Sequence, residues 1–195
     1  MDWDKTYSEN AYAFGKEPND FLRENVSQLK QGSVLCIAER EGRNAVFLAK
    51  QGFQVTAMDA SLTGLEKAQA LASQEGVEIQ TIHADLNEFN FGQNKWDNVI
   101  SIFCHLPPKL RNVVHQNIKE SLVSGGVFLI EAYRLKQLEF ATGGPSQMER
   151  LMSQKQLEAD FYCMKLMHSE ERERHIAEGE LHKGNSAVVQ LIAVK

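Results

Sequence analysis

The chain has 195 residues, of which 43% are hydrophobic and 24% charged, and its formal net charge is −5. That length suffices for a full core, and the acidic balance speaks against a nucleic-acid backbone as partner. No apolar run approaches the roughly 20 residues that span a bilayer, the start Met1-Asp2-Trp3-Asp4 lacks the basic and apolar regions of a signal peptide, and the three cysteines show neither metal nor disulfide spacing, so a cytoplasmic protein without metal, membrane or nucleic-acid partner is expected.

Asn19 to Leu29 is predicted as a helix, with Phe21, Leu22, Val26 and Leu29 on one face. Ser33 to Ala38 is a short apolar run and hence a buried strand. Asn44 to Gln51 reads as a helix closed by Gly52, and Gln54 to Met58 as the second strand. Ser61 is a plausible N-cap for a helix carrying Leu62, Leu65, Ala68, Leu71 and Ala72 at i, i+3, i+4 spacing and ending at Gly76. Val77 to His83 alternates as a third strand, and Asp97 to Phe103 is apolar enough for a fourth. Pro107-Pro108 opens a helix with Leu110, Val113, Val114 and Ile118 on one face. Ser124-Gly125-Gly126 reads as a turn before a fifth strand, Val127 to Ala132.

Beyond Tyr133 the pattern loosens. Thr142-Gly143-Gly144-Pro145 is a loop, Ser153 to Phe161 a helix, and Met164–Arg174 and Ala187–Val194 two strands. The polar link between them is short, so they should pair antiparallel. Strands alternating with helices imply a mostly parallel sheet covered on both faces. The expected architecture is one α/β domain over residues 1–195. Residues 1–30 would form an N-terminal lid and helix, and residues 31–195 a Rossmann-like core.

Ligands of such sheets bind outside the carboxyl ends of the strands. Asp59 ends the second strand 21 positions after Ala38, close to the spacing of about 20 at which a carboxylate accepts from ribose hydroxyls. Its bland alternative is an acid favoured by a helix N-terminus. Asp85 and Leu86 follow the third strand, where they suit an adenine amine and ring; a turn aspartate is the other reading. In the first loop the glycine pattern is reduced to Gly42, with Ala38 and Arg40 at the earlier positions. Glu39 and Glu41 there would repel a pyrophosphate, but they suit a ligand with an amino group, such as S-adenosylmethionine. Either could instead be solvated. A nicotinamide-dependent reductase is disfavoured by the same loop. If φ is positive at Arg40, its side chain costs roughly 1 kcal/mol and crowds the ligand. His105 sits after the fourth strand as a general base, a substrate contact or a turn cap. Cys104 reads as a small buried hydrophobe, and Arg134 as an anion contact or a solvated side chain.

In this order the motifs resemble those of bacterial class I S-adenosylmethionine-dependent methyltransferases, in the branch of the tellurite-resistance and thiopurine methyltransferases. The resemblance runs through Tyr12-Ala13-Phe14-Gly15-Lys16-Glu17-Pro18-Asn19-Asp20-Phe21-Leu22, Glu39-Arg40-Glu41-Gly42-Arg43-Asn44, Asp59 and His83-Ala84-Asp85-Leu86. It continues through Phe103-Cys104-His105-Leu106-Pro107, Glu131-Ala132-Tyr133, Thr142-Gly143-Gly144-Pro145 and Ala187-Val188-Val189-Gln190. It implies a seven-stranded sheet with an antiparallel last strand. It also implies a cofactor site drawing on Ala38, Glu39, Gly42, Asn44, Asp59, Ala60, Asp85, Leu86 and Phe103. An N-terminal segment with Tyr7, Tyr12, Phe14 and Pro18 would close over it. The expected reaction is methyl transfer to a small acceptor, a thiol, metalloid oxyanion or other soft nucleophile, with the aromatic face of Tyr12 against the cationic methyl donor and His105 as the base that a neutral acceptor would need. The alternative is a non-catalytic module that binds S-adenosylmethionine or S-adenosylhomocysteine, prompted by Arg40 in the loop.

Overall fold

The structure is a computed structural model and describes residues 3–8, 12–140, 142–179 and 182–195, with Trp3 described by its backbone alone. After the short helix α1 (Trp3–Tyr7) come α2 (Asp20–Asn25), β1 (Ser33–Ile37), α3 (Arg43–Lys50), β2 (Gln54–Asp59), α4 (Leu62–Gln74), β3 (Gln80–His83) and β4 (Trp96–Ile102). The chain continues through α5 (Pro108–Ser121), β5 (Leu122–Tyr133), α6 (Gln154–Asp160), β6 (Lys165–Ala177) and β7 (Lys183–Val194). The seven strands form one sheet in the order β3-β2-β1-β4-β5-β7-β6. β1 to β5 run parallel, and β7 enters antiparallel between β5 and β6, pairing Val127 with Val194 and Tyr133 with Val188. The expected mostly parallel sheet with an antiparallel last strand is therefore the observed one.

Alternation along the strands divides the core. Val34, Cys36, Val55, Ala57, Ile100 and Ile102 face α2, α3 and α4, where Leu22, Leu48, Leu65 and Leu71 bury. Leu35, Ile37, Met58, Val99, Phe128 and Ile130 point the other way, toward Val114 and Ile118 of α5 and Leu157 of α6. Each β-residue thus serves one layer only, as a period of two requires. Among the described residues no helix is long and apolar enough to cross a membrane.

Several expected boundaries shift for local reasons. The helix over 19–29 stops at Asn25, and Val26–Gln28 tightens into a 3-10 turn. β3 starts at Gln80 rather than Val77, because Val77 N–H still bonds the Ala72 carbonyl of α4 at 3.0 Å. β5 starts at Leu122: Trp96 pairs with Leu122 and Asn98 with Val127, so the residues between them loop out of a continuing strand. The Ser124-Gly125-Gly126 turn is this bulge, with Gly125 at φ +73°. Val113, expected on the apolar face of α5, is 54% exposed.

The N-terminal segment is fastened at several points. Asp4 accepts from Ser61 Oγ and Thr63 N, which lays α1 across the start of α4. Glu41 accepts from Phe14 N at 3.4 Å and Asn44 Oδ1 from Asn19 N at 2.9 Å. Asn19 caps α2 through Leu22 N and donates to Glu131 at 2.5 Å and Glu178 at 2.9 Å. These carboxylates are buried and are answered by Arg43 (2.5 Å from Glu178) and Arg174 (2.7 Å from Glu131, 2.9 Å from Glu178). Burial alone pushes the Glu178 carboxyl up; the two guanidinium groups outweigh it and leave it below its ordinary value.

Candidate active site

Strand order reverses between β1 and β4, and the crevice outside their carboxyl ends is where an open α/β sheet takes its ligand. A cleft opens there, of about 200 Å³. Ala38, Asp59, Ala60, Asp85, Leu86 and Phe103 all line it, as does His105. Tyr7 of α1 closes it from above, buried and in edge contact with Phe14. Backbone strain concentrates at this place. Of the non-glycine residues at positive φ among those described, Ala38 (+50°), Arg40 (+64°) and Phe103 (+52°) flank the cleft, and Asn94 does not. A left-handed arginine costs roughly 1–2 kcal/mol, and such strain persists where surrounding structure enforces it.

Asp59 is positioned by its strand and by two backbone donors. Ser61 N–H bonds Oδ1 at 2.8 Å and Arg40 N–H bonds Oδ2 at 2.9 Å. Each oxygen keeps a further acceptor site for a diol. Desolvation raises its carboxyl above the ordinary value, against the pull of those two amides and the Arg40 charge. Asp85 is exposed and spends Oδ1 on Asn87 N and Nδ2, both at 2.8 Å. Met58, Ala60, Ala84 and Leu86 supply apolar walls on this side. A carboxylate and an apolar wall thus face each other on this side of the cleft.

Three expected contacts lie behind the loop rather than in the cleft. Glu39 is buried and accepts from Ala45 N at 2.7 Å, holding the first turn of α3. Desolvation pushes its carboxyl up to about 7, against Arg43, Arg40 and the α3 amides. Gly42 caps α3 at φ +89° and packs on α4: a Cβ there would meet the Cβ of Ala68 at 2.5 Å. Asn44 serves Asn19 N. Tyr12 also stands apart, its hydroxyl 3.3 Å from the Lys67 carbonyl and its ring between the ammonium groups of Lys16 and Lys67.

On the β4 side His105 has both ring nitrogens engaged. Nδ1 lies 3.1 Å from the Phe103 carbonyl, which makes it the protonated nitrogen, and Nε2 accepts from Tyr133 N–H at 2.9 Å. Burial holds the imidazole neutral, down to about 3. Burial likewise pushes the Cys104 thiol up to about 12, so no thiolate forms there near neutral pH. Arg134 pairs with Glu171 and Glu173 at the surface.

Two features were not read from the sequence. His182 stacks edge-on against Phe14 and Phe103, both at 4.7 Å, and Tyr133, with Nδ1 buried and without a hydrogen-bond partner among the described residues. Its neighbours come from three distant segments, and only Gly179, close before it, hinted at a packed turn. The second feature is the course of Arg40. Its side chain crosses the crevice, donating from Nη2 to the Phe103 carbonyl at 2.8 Å, and its guanidinium lies 4.1 Å from the Phe14 ring centroid. The residues thus fit the nucleoside half of the cofactor, whereas the half over the first loop is crossed by a cation.

Residues 34–126 match the family described as a methyltransferase domain. No curated protein sequence matches the chain. Among solved structures, one from work on the conversion of a disulfide bond into a thioacetal group during echinomycin biosynthesis superposes with a TM-score of 0.79 at 17% identity, covering 99% of this chain and 90% of that one. TehB from Haemophilus influenzae gives 0.75 at 18% identity; the match covers 99% of this chain but only 65% of TehB. An S-adenosylmethionine-dependent methyltransferase from Methanosarcina mazei gives 0.72 at 14%, with 92% and 98% covered. At such identities the likeness is one of fold. The sheet order and the match over residues 34–126 agree: this part of the chain is similar to a methyltransferase domain, and the whole chain has the fold of solved S-adenosylmethionine-dependent methyltransferases.

Proposed function

We propose that the protein transfers a methyl group to a small soft acceptor, a thiolate or an oxyanion, in the cytoplasm. The observation that supports this best is the placing of Asp59: a buried carboxylate at the end of β2, aimed at the crevice with acceptor sites unspent. The bound cofactor supplies an activated methyl group, so the protein's part is orientation and exclusion of water. Asp59 holds the ribose, Asp85 and Leu86 the adenine, and Ala38 and Phe103 the walls beyond. Tyr7 and Phe14, fastened above the cleft, exclude water.

An acceptor that arrives already ionised needs no base, and the chemistry of the cleft supports such an acceptor. His105 has no free nitrogen and stays neutral; it acts as a positioning residue that ties Phe103 to Tyr133. Cys104 stays a thiol, and burial raises the Tyr7 hydroxyl. Three free cysteines suit a reducing compartment. Metalloid oxyanions are one candidate, through the family resemblance alone.

The test is calorimetric titration with S-adenosyl-L-methionine and S-adenosyl-L-homocysteine, followed by a methylation assay over thiols and oxyanions. Binding that falls at least tenfold in Asp59→Ala, together with product formation, supports the reading. Binding indifferent to Asp59→Ala sinks the site assignment. Binding without turnover on any acceptor favours a non-catalytic module.

A further inference from the structure

Arg40 combines three properties. It leaves the end of β1 and reaches the end of β4, so it bridges the crevice at the point where the strand order reverses. It is cationic, and among the described residues no carboxylate forms an ion pair with it. Glu41 is held by Lys67 at 2.7 Å and by Phe14 N–H, and Glu39 by Ala45 N–H. It is also seated rather than loose, between the Phe103 carbonyl and the face of the Phe14 ring. A carbonyl oxygen and an aromatic face both receive a cation well where water is partly excluded. Here a residue of the chain itself is that cation.

We infer that Arg40 sets the charge preference of this cleft: seated as it is, it favours the neutral thioether S-adenosyl-L-homocysteine over the cationic sulfonium S-adenosyl-L-methionine. The inference rests on the proposed cofactor site. Two like charges in one low-dielectric crevice repel, and the sulfonium enters only as the guanidinium gives up the Phe103 carbonyl and the Phe14 face. The homocysteine compound differs by one methyl group and one unit of charge, so the ratio of the two affinities reads charge far more than size. Arg40 is thus a specificity-determining residue, and its withdrawal is a step that turnover requires.

The experiment is titration of both ligands into the parent protein, Arg40→Gln and Arg40→Gly. Arg40→Gln keeps length and a hydrogen-bond donor without the charge, and Arg40→Gly relieves a positive φ, so it should fold at least as well. The expected result is a homocysteine-over-methionine ratio of at least tenfold in the parent, shrinking to within threefold in both variants through tighter sulfonium binding. A parent ratio within threefold overturns the inference and leaves the cofactor site standing. A ratio kept in Arg40→Gln but lost in Arg40→Gly also overturns it, since bulk rather than charge then decides. No binding of either ligand by any of the three proteins removes the cofactor reading itself.

Discussion

Glu39 keeps its carboxyl where ionisation is costly, and that has a consequence for stability. Its ordinary value of 4.5 holds in the unfolded chain, while burial pushes it to about 7 in the fold. Between those values the folded state holds the extra proton, so stability falls as pH rises, and it levels off above about 7. The drop amounts to roughly 3 kcal/mol over that window. Urea unfolding at pH 5 and pH 7.5 should show it in the parent and not in Glu39→Gln, which keeps an oxygen for Ala45 N–H. Parallel behaviour of the two proteins would mean that Glu39 ionises freely. The β4 side of the cleft yields a second expectation. With His105 neutral and Cys104 a thiol, the pH profile of methyl transfer should follow the acceptor's own ionisation. Two acceptors whose pKa values differ by about two units should shift the profile by as much; a fixed profile would point to a base in the protein. At this scale the sequence placed Asp59 and Asp85 at the cleft, because one ends and the other follows a strand whose carboxyl end opens there. The direction of Arg40 was hidden, since it depends on a carbonyl 63 residues along the chain.

The helices meet the sheet through contacts that tolerate little change. Gly42 sits where a Cβ would overlap Ala68 of α4, and its φ of +89° suits no other residue well. Gly42→Ala should cost roughly 2–4 kcal/mol, combining left-handed strain with overpacking; a loss under about 0.5 kcal/mol in chemical denaturation would show that α3 and α4 separate easily. The buried pairs that fasten α2 and α3 to β5 and β6 should matter more than any pair at the surface. Glu178→Ala strands Arg43 in a buried position, which typically costs about 3–5 kcal/mol, whereas breaking the exposed Lys50–Glu75 pair should leave the denaturation midpoint unchanged. Equal effects of the two would deny the buried network its role. Elements of this kind are only partly legible in sequence. β1, β2 and β4 are short apolar runs and could be placed to within a residue or so. The starts of β3 and β5 could not, because Val77 stays tied to α4 and residues 123–126 bulge out of a strand that continues.

For the molecule as a whole, ligand and fold are linked by mass action. A ligand present at 100 times its dissociation constant adds about 2.7 kcal/mol to a protein that binds it only when folded. For a chain of this size that is a rise of roughly 5–10 °C in the melting temperature, which a thermal shift assay with S-adenosyl-L-homocysteine should record. An unchanged melting temperature would indicate that the cleft takes no such ligand. The sheet order was expected from alternation of strands and helices and from the family resemblance, and the structure bears it out. The docking of the N-terminal segment could not be derived in detail, because its anchors at Glu41 and Asn44, at Ser61 and at Gly179 belong to three separate stretches. The position of β7, inside the sheet and not at its rim, also bears on how the chain is made. β5 ends at Tyr133, and the residues that pair with its free side, Val188 to Val194, are synthesised about 60 residues later. At roughly 5–20 residues per second, that hydrogen-bonding edge of β5 stays open for about 3–12 s on the ribosome. Over that interval it offers a long apolar edge to any neighbouring chain, so crowded expression and slow codons between 134 and 187 should cost yield before any ligand is ever bound.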